Sequence, residues 1–459
     1  MRLFCKDIQP SHVKFMSTIP TNRMFVLLGC SALASIGAAA LAIAPAQSLP
    51  AALSATTQSR PSETVVDQIG VNVHLSFFDT PYNKFDAIVR PRLSELGVHH
   101  IRDGALTAGN SGALHTYYKR LSALAADGIK SSLVTFDATS PAFLTDLDRL
   151  QEVYDQAGRG VEFFEGTNEP NLKKNPNWAN IGRERQRLLY EATHSNPNLS
   201  GVAVLGPSPW GPGAQQLGDI SASVDVGNWH IYSGGQYPEA TGKSSLLDYQ
   251  EQARGLYSSK PLVATEAGYH SAMNVAPGKH RPTPENIIAR YLPRLILWDL
   301  KNGVMRTYLY ELIDSFARGD TDPESNFGLI RHDGTPKPSF YAIKNLIGIF
   351  SDSGAVGSPQ SLDWSLTSNN ADIQTMLFQR SDGSFLLALW LGVPAWDPDQ
   401  RTEVASKPVA TEILLPDAIR KATVSEFGDD GTVAARDEAI QHGRLALTVK
   451  DTMTVIRLQ

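Results

Sequence analysis

Residues 163–171 read FFEGTNEPN. An apolar, aromatic-rich run of the kind that forms a buried strand stops on an amide, a carboxylate and a proline, Asn168-Glu169-Pro170. What a strand ending of this kind means depends on which strand it is and on what its neighbours end with. Outward from it, short β-rich runs alternate with longer helical ones from Val65 onward. The candidate strands are VVDQIGVNVH (65–74), VHHIRD (98–103), SSLVTFD (131–137), VEFFEGTNE (161–169), GVAVLGPS (201–208), VDVGNWHIY (224–232), PLVATEAG (261–268) and RTYLYELID (306–314). The intervening stretches carry apolar residues at helical spacing, several of them ending in glycine, as in FDAIVRPRLSELG (85–97) and LHTYYKRLSALAADG (114–128). Eight strand–helix pairs in strict alternation imply parallel strands with helical crossovers. They predict an α/β chain with a closed (β/α)8 TIM barrel over residues 64–350. The segment after the first strand, VNVHLSFFDTPYN (71–83), has no glycine-rich phosphate fingerprint, which argues against an open nucleotide-binding sheet.

Beyond Phe350 the helical periodicity stops. Short alternating runs follow, among them DIQTMLFQRS (372–381), SFLLALWLG (384–392), RLALTVK (444–450) and TMTVIRLQ (452–459), with turn formers such as GDDG (428–431) between them. This pattern predicts a C-terminal antiparallel β-sandwich over residues 351–459. At the other end, Lys14 and Arg23 precede the apolar run MFVLLGCSALASIGAAALAIA from Met24, and Ala44-Pro45-Ala46 fits a small-residue cleavage site. Residues 1–46 therefore read as a signal peptide, with Met16 and Met24 as alternative starts, and residues 47–63 as a polar linker. A retained membrane anchor and lipidation at Cys30 are the alternatives. Export makes the expected location secreted or periplasmic, with no stable membrane association once the leader is removed. Both cysteines, Cys5 and Cys30, fall in the leader, so the expected mature chain has no disulfide and no thiol chemistry. A net charge of −6, with no basic cluster interleaved with aromatics, argues against a nucleic-acid partner. Oligomeric state is not legible.

In a (β/α)8 barrel the C-terminal strand ends converge on one mouth, where catalytic groups sit. Here those ends carry His74, Arg102-Asp103, Asp137, Asn168-Glu169, Ser208, His230 to Tyr232, Glu266, and Glu311 to Asp314. Glu169 and Glu266 end the fourth and seventh strands, nearly across the mouth from each other. Two carboxyl groups facing a common space are what cleavage of a glycosidic bond requires. One is protonated to release the leaving oxygen, and the other is ionised to attack the anomeric carbon or to activate water. No His-Glu-x-x-His occurs and the histidines lack ligand spacing, so no metal or other cofactor is expected; no Gly-x-Ser-x-Gly elbow is present either.

FFEGTNEPN resembles the fourth-strand motif of the clan A glycoside hydrolases, and VATEAGYH (263–270) resembles their seventh-strand motif. NFGLIRHDGTPKPSFYAIKNLI (326–347) is similar to their last loop and helix, and the form F-E-x-x-N-E-P-N is nearest to the family 39 type and its relatives. The resemblance implies that Glu169 is the acid/base and Glu266 the nucleophile, that Asn168 bonds the 2-hydroxyl of the sugar, that Arg102 holds the nucleophile ionised, and that His230 or Tyr232 orients Glu266. It implies a retaining enzyme acting on a polysaccharide or oligosaccharide, with a β-linkage. A transglycosylase on the same site and an inactive carbohydrate-binding barrel are the rival readings. His74, Trp210 and Tyr269 are further candidates for sugar contact. Glu165, deeper in the fourth strand, reads as a structural acid, and Glu311 and Asp314 as caps of the final loop if not as site residues. The pattern departs from the family type at Thr167, where relatives carry an aromatic, at Ala267-Gly268, and in YLYELID, which lacks the tryptophan common there. The loops HSAMNVAPGKHRPT (270–283) and SFARGDTDPESNFG (315–328) are expected to set specificity.

Overall fold

Successive side chains of a strand point to opposite faces, so in a closed barrel every second residue faces inward and must fill or functionalise the interior. The computed structural model describes residues 55–136, 143–173, 175–277 and 280–459. The leader, its two cysteines and Asp137 lie outside the described residues. The eight barrel strands, in chain order, are Ile69–Asn72, His100–Gly104, Lys130–Val134, Val161–Glu165, Ala203–Leu205, Gly227–Ile231, Leu262–Ala267 and Val304–Leu309. All adjacent pairs are parallel, in the order five-four-three-two-one-eight-seven-six. Leu205 bridges Val226, and the Gly206 amide donates to the Val226 carbonyl at 3.0 Å, which closes the ring between the fifth and sixth strands.

The interior is layered by polarity. At the strand starts, His100 lies 2.9 Å from Asp67 and 2.7 Å from Glu162, while Arg306 pairs with both acids. Above this charged floor sits an apolar plug of Phe163, Leu205, Val226, Val263 and Tyr308. The Tyr308 ring needs Gly70 opposite it, because a Cβ there would come within 2.3 Å of the ring. Above the plug, Asn72, Arg102, Glu165, Asn228 and Thr265 form a buried polar layer. The mouth lies above that layer.

The C-terminal region forms two antiparallel sheets whose inner faces share one apolar core, including Leu377, Leu387, Ile413, Val424 and Leu445. A second, continuous core joins the outside of the barrel to this region through Phe350, Phe378, Trp390 and Met453. Beside it Arg294 is fully buried against Glu239, which also accepts the Trp390 indole N–H at 2.5 Å.

The segment read as a linker is not wholly one. Ala55–Gln58 pairs antiparallel with Ser361–Trp364, and Arg60–Pro61 pairs parallel with Phe378–Gln379, so this stretch adds an edge strand to each C-terminal sheet. Its polar side chains gave no strand signal, because an edge strand is recruited by backbone hydrogen bonds rather than by burial of a face. A variant lacking residues 55–61 should therefore unfold at a Tm lower by about 5 °C. An unchanged Tm in a thermal melt would show that the two strands contribute nothing to the fold.

Candidate active site

Five of the groups read from the strand ends meet at one guanidinium or one step from it. Arg102 rises from the second strand and is 5% exposed. Its Nε and Nη2 donate to both oxygens of Glu165 at 2.7 and 2.8 Å. Nη1 donates to Asn72 Oδ1 at 3.0 Å and to Glu266 Oε1 at 2.7 Å, and Nη2 also donates to Asn168 Oδ1 at 2.7 Å. Every N–H of the planar fork is used. Glu165 is wholly buried and also accepts from Asn228 Nδ2 at 3.0 Å, so it is the anchor of the arginine rather than a group open to the mouth.

Glu266 stands at the end of the seventh strand with its side chain 13% exposed. Its second oxygen accepts from the Tyr232 hydroxyl at 2.8 Å. Burial alone would raise this carboxyl. The charges of His230 and Arg102 and the hydrogen bonds from Tyr232 and Arg102 outweigh it and hold Glu266 below the ordinary glutamate value. Tyr232 is itself steadied from behind by Tyr249, whose hydroxyl donates to the Tyr232 carbonyl at 2.8 Å.

Glu169 sits at a corner. The chain leaves the fourth strand, the Asn168 amide donates to the Phe136 carbonyl at 3.1 Å, and Glu169 takes φ 41° in the left-handed region before Pro170. A non-glycine residue is held there only when its surroundings over-determine it. The corner turns the Glu169 side chain over the mouth, where it is 26% exposed and 3.1 Å from His230 Nδ1. His230, buried in the sixth strand, lies 3.5 Å from Glu266 through the same nitrogen. A carboxylate oxygen of Glu169, a ring nitrogen of His230 and a carboxylate oxygen of Glu266 all lie within 4.8 Å of one another. The three could in principle ligate a cation. However, both Glu266 oxygens already accept hydrogen bonds, and a guanidinium stands 2.7 Å from one of them, so the donor set suits proton and carbon chemistry better than an ion.

The remaining candidates divide. His74 reaches the mouth beyond the first strand, 3.0 Å from Glu311 and stacked on Phe77 at 4.6 Å. Burial alone would lower its imidazole, but the hydrogen bond and charge of Glu311, then Asp103 and Glu266, raise it above the usual value. Burial pushes the neighbouring Asp103 up to about 6. Glu311 also binds Ser315, and Asp314 ties Lys337 and the Gly328 amide, so both acids brace the final loop. Trp210, 39% exposed, lies beyond the fifth strand; the Asn171 side chain accepts from its amide at 2.8 Å and donates to its carbonyl at 2.5 Å. Tyr269 does not join the mouth. Gly268 turns the chain at φ 153°, and the ring packs beside Tyr291 with its hydroxyl donated to the Gln236 carbonyl at 3.0 Å.

Groups the strand-end reading passed over complete the walls. Tyr310 stands edge-on to His74 at 5.8 Å and to Phe327 at 5.4 Å, and the Tyr310–Glu311 peptide is cis. His280 stands edge-on to Tyr232 at 5.8 Å. Glu324 accepts from Tyr310 at 3.4 Å, and burial, with Glu311 and Glu266 nearby, raises its carboxyl to about 7. Only Tyr310, in YLYELID, lay within a strand-end motif.

No family model and no curated protein matches this sequence. Solved structures do. A family 39 glycoside hydrolase from the gut symbiont Bacteroides cellulosilyticus WH2 superposes with a TM-score of 0.58 at 15% identity, over 87% of this chain and 82% of that one. The chain has the fold of the clan A glycoside hydrolases. AbfB, a family 51 α-L-arabinofuranosidase from Bifidobacterium longum, superposes with a TM-score of 0.55 at 13% identity, over 89% and 98% of the two chains. A glucosidase from Croceicoccus marinus gives 0.54 at 13%, over 85% and 95%. Coverage of 85–89% of this chain takes in the trailing β-region as well as the barrel.

Arg102→Met would strand Glu165 and Glu266 together without their shared counter-charge. The loss of folding stability in denaturant should be about 3–5 kcal/mol. Adding Glu165→Gln to that variant should restore part of it; a double variant no more stable than the single would show that the ion pair is not what Arg102 supplies.

Proposed function

We propose that the protein is an exported retaining glycoside hydrolase that cleaves a β-linked oligosaccharide or polysaccharide by double displacement. One observation carries the reading: Glu169 and Glu266 approach within 4.8 Å through their carboxylate oxygens, with Glu266 clamped as an anion. Retaining enzymes place the two carboxyl groups about 5–5.5 Å apart, whereas inverting enzymes need about 6.5–9.5 Å to admit a water. In the first step a Glu266 oxygen bonds to the anomeric carbon as the glycosidic C–O bond breaks, and the proton of Glu169 passes to the leaving oxygen. In the second, water attacks the same carbon, its proton returns to Glu169, and the bond to Glu266 breaks. Arg102 and Tyr232 serve both steps, since they stabilise Glu266 as the attacking and as the departing carboxylate. Asn168 accepts from Arg102 through Oδ1, which leaves its NH2 for the 2-hydroxyl of the sugar.

Sugar rings present C–H faces that pack on aromatic rings, and His74, Phe77, Tyr310 and Tyr232 supply such faces around the pair. Trp210 is tied to the loop that carries Glu169, and Glu169 serves the leaving oxygen, so Trp210 belongs to the leaving-group side. A xylanase, a glucosidase and an arabinofuranosidase among the similar structures support a plant-type or envelope glycan as substrate, with the sugar set by the loops. The leader Met24–Ala46 supports export.

Glu266→Gln should reduce turnover to background on every substrate of the wild type, including dinitrophenyl glycosides. Glu169→Gln should lose on the order of 10²–10⁴-fold on glycosides with poor leaving groups, yet form the glycosyl-enzyme at near-normal rate from dinitrophenyl glycosides. Azide should then rescue Glu169→Ala and yield a glycosyl azide of retained configuration. Near-normal rates in both glutamine variants would contradict the assignment.

A further inference from the structure

The residues that position Glu266 come from the barrel, but the loop behind them is held from the C-terminal β-region. Trp396–Asp397 and Thr402–Glu403 form a small hairpin separate from both main sheets. Its tip is tightened by the Asp399 and Gln400 amides donating to Asp397 Oδ1 at 2.9 Å, and Arg401 is held at φ 54°. That left-handed turn at a non-glycine residue aims the arginine back at the barrel. Arg401 donates through Nη1 to the Met273 carbonyl and through Nη2 to the Val275 carbonyl, both at 2.7 Å. The Trp396 indole donates to the Pro282 carbonyl at 2.9 Å, Asp399 pairs with Arg281 at 2.8 Å, and Glu403 accepts from Asn286 at 3.0 Å.

All of these contacts fall on one segment, the loop and helix start that follow the seventh strand and Glu266. The hairpin also presses on the sixth-strand loop: a Cβ on Gly235 would lie 2.9 Å from Pro398 and 3.2 Å from the Arg281 carbonyl. Gly235 takes φ 82°, so the close approach and the turn both call for glycine. The sixth-strand loop begins directly after Tyr232, which bonds Glu266, and the seventh-strand loop carries His280, edge-on to the same tyrosine.

We propose that the Trp396–Glu403 hairpin is a positioning part of the active site, clamping the two loops that flank Glu266, with Arg401 as its main fastener. The arginine suits the task because its planar fork presents two N–H groups in fixed directions to two carbonyls, where the lysine ammonium is a point charge on a flexible stem. Ser271 and Asn274 tie the start of the loop to the Asn326 and Asp320 carbonyls, and Arg401 satisfies the Met273 and Val275 carbonyls beside them, so the clamp narrows the loop toward one conformation. The trailing β-region would then be required for catalysis itself and not only for stability. The clamp stands on geometry alone; its effect on turnover rests on the glycosidase reading above.

The experiment separates the two. Hydrogen exchange of the full-length protein should show that Arg401→Ala speeds exchange at least tenfold in residues 271–276 and 233–236, with protection of the barrel strands and Tm little changed. With an aryl glycoside that the wild type hydrolyses, the same variant should lose about tenfold in kcat/KM, mainly through kcat. Arg401→Lys should recover part of both effects, and Asp399→Ala, at an exposed position that tolerates substitution, should move both in the same direction by less. Unchanged exchange in 271–276 overturns the clamp whatever the activity. Faster exchange with kcat/KM within twofold of wild type overturns its role in positioning the site. A wild type inactive on all aryl glycosides, with the exchange pattern as expected, overturns the glycosidase reading and with it the catalytic part of the proposal.

Discussion

The site is organised around a single positive charge. Arg102 sits at the floor of the mouth with all of its N–H groups committed to Glu165, Asn72, Glu266 and Asn168. Glu165 balances the arginine within the barrel, so the arginine can be buried; the arginine in turn allows Glu266 to remain an anion while buried, which burial alone would oppose. Asn168 is fixed by the same fork, and Glu169 follows it at a corner of left-handed backbone. One guanidinium therefore joins His230 and Tyr232 in holding one glutamate ionised, and fixes the asparagine that precedes the other. This explains why the polar layer lies directly above an apolar plug. The plug gives the layer a low-dielectric base, in which a paired charge has little freedom to rearrange.

Much of this was legible in the amino-acid order, and for a physical reason. A parallel barrel writes itself as strict alternation of strand and helix periodicity, and its mouth collects whatever residues follow each strand's apolar run. Glu169 and Glu266 could be picked out because the strands that carry them can be counted. Arg102 was marked by its place at the end of the second strand, and its pairing with Glu266 by the family resemblance; the role of Glu165 as its anchor became plain only in three dimensions. Tyr269 was misplaced because strand-end logic stops at the first residue that reverses the chain. Gly268 does so, with the Tyr310 carbonyl 2.8 Å from where its Cβ would be, and the tyrosine turns inward.

Contacts between distant segments left no trace in local pattern. The polar stretch 55–61 reads as linker until its backbone is seen paired with strands some 300 residues away. Residues 396–403 fall outside the alternating runs singled out in the sequence, yet they reach the segment after Glu266 through Arg401, Trp396 and Asp399. In both cases hydrogen bonds to backbone carbonyls or amides do the joining, and such bonds depend on position rather than on side-chain periodicity. The two parts of the chain that looked separable, barrel and trailing β-region, are joined through the loop that follows Glu266.

The most direct test of the central claim is covalent trapping. A 2-deoxy-2-fluoro dinitrophenyl glycoside of a sugar the enzyme hydrolyses should inactivate it in proportion to the dinitrophenol released. Peptide mass mapping should then find one glycosyl adduct, on Glu266, that is lost when an acceptor sugar is added. Turnover of the parent glycoside with no adduct formed, or an adduct on Glu169, would contradict it.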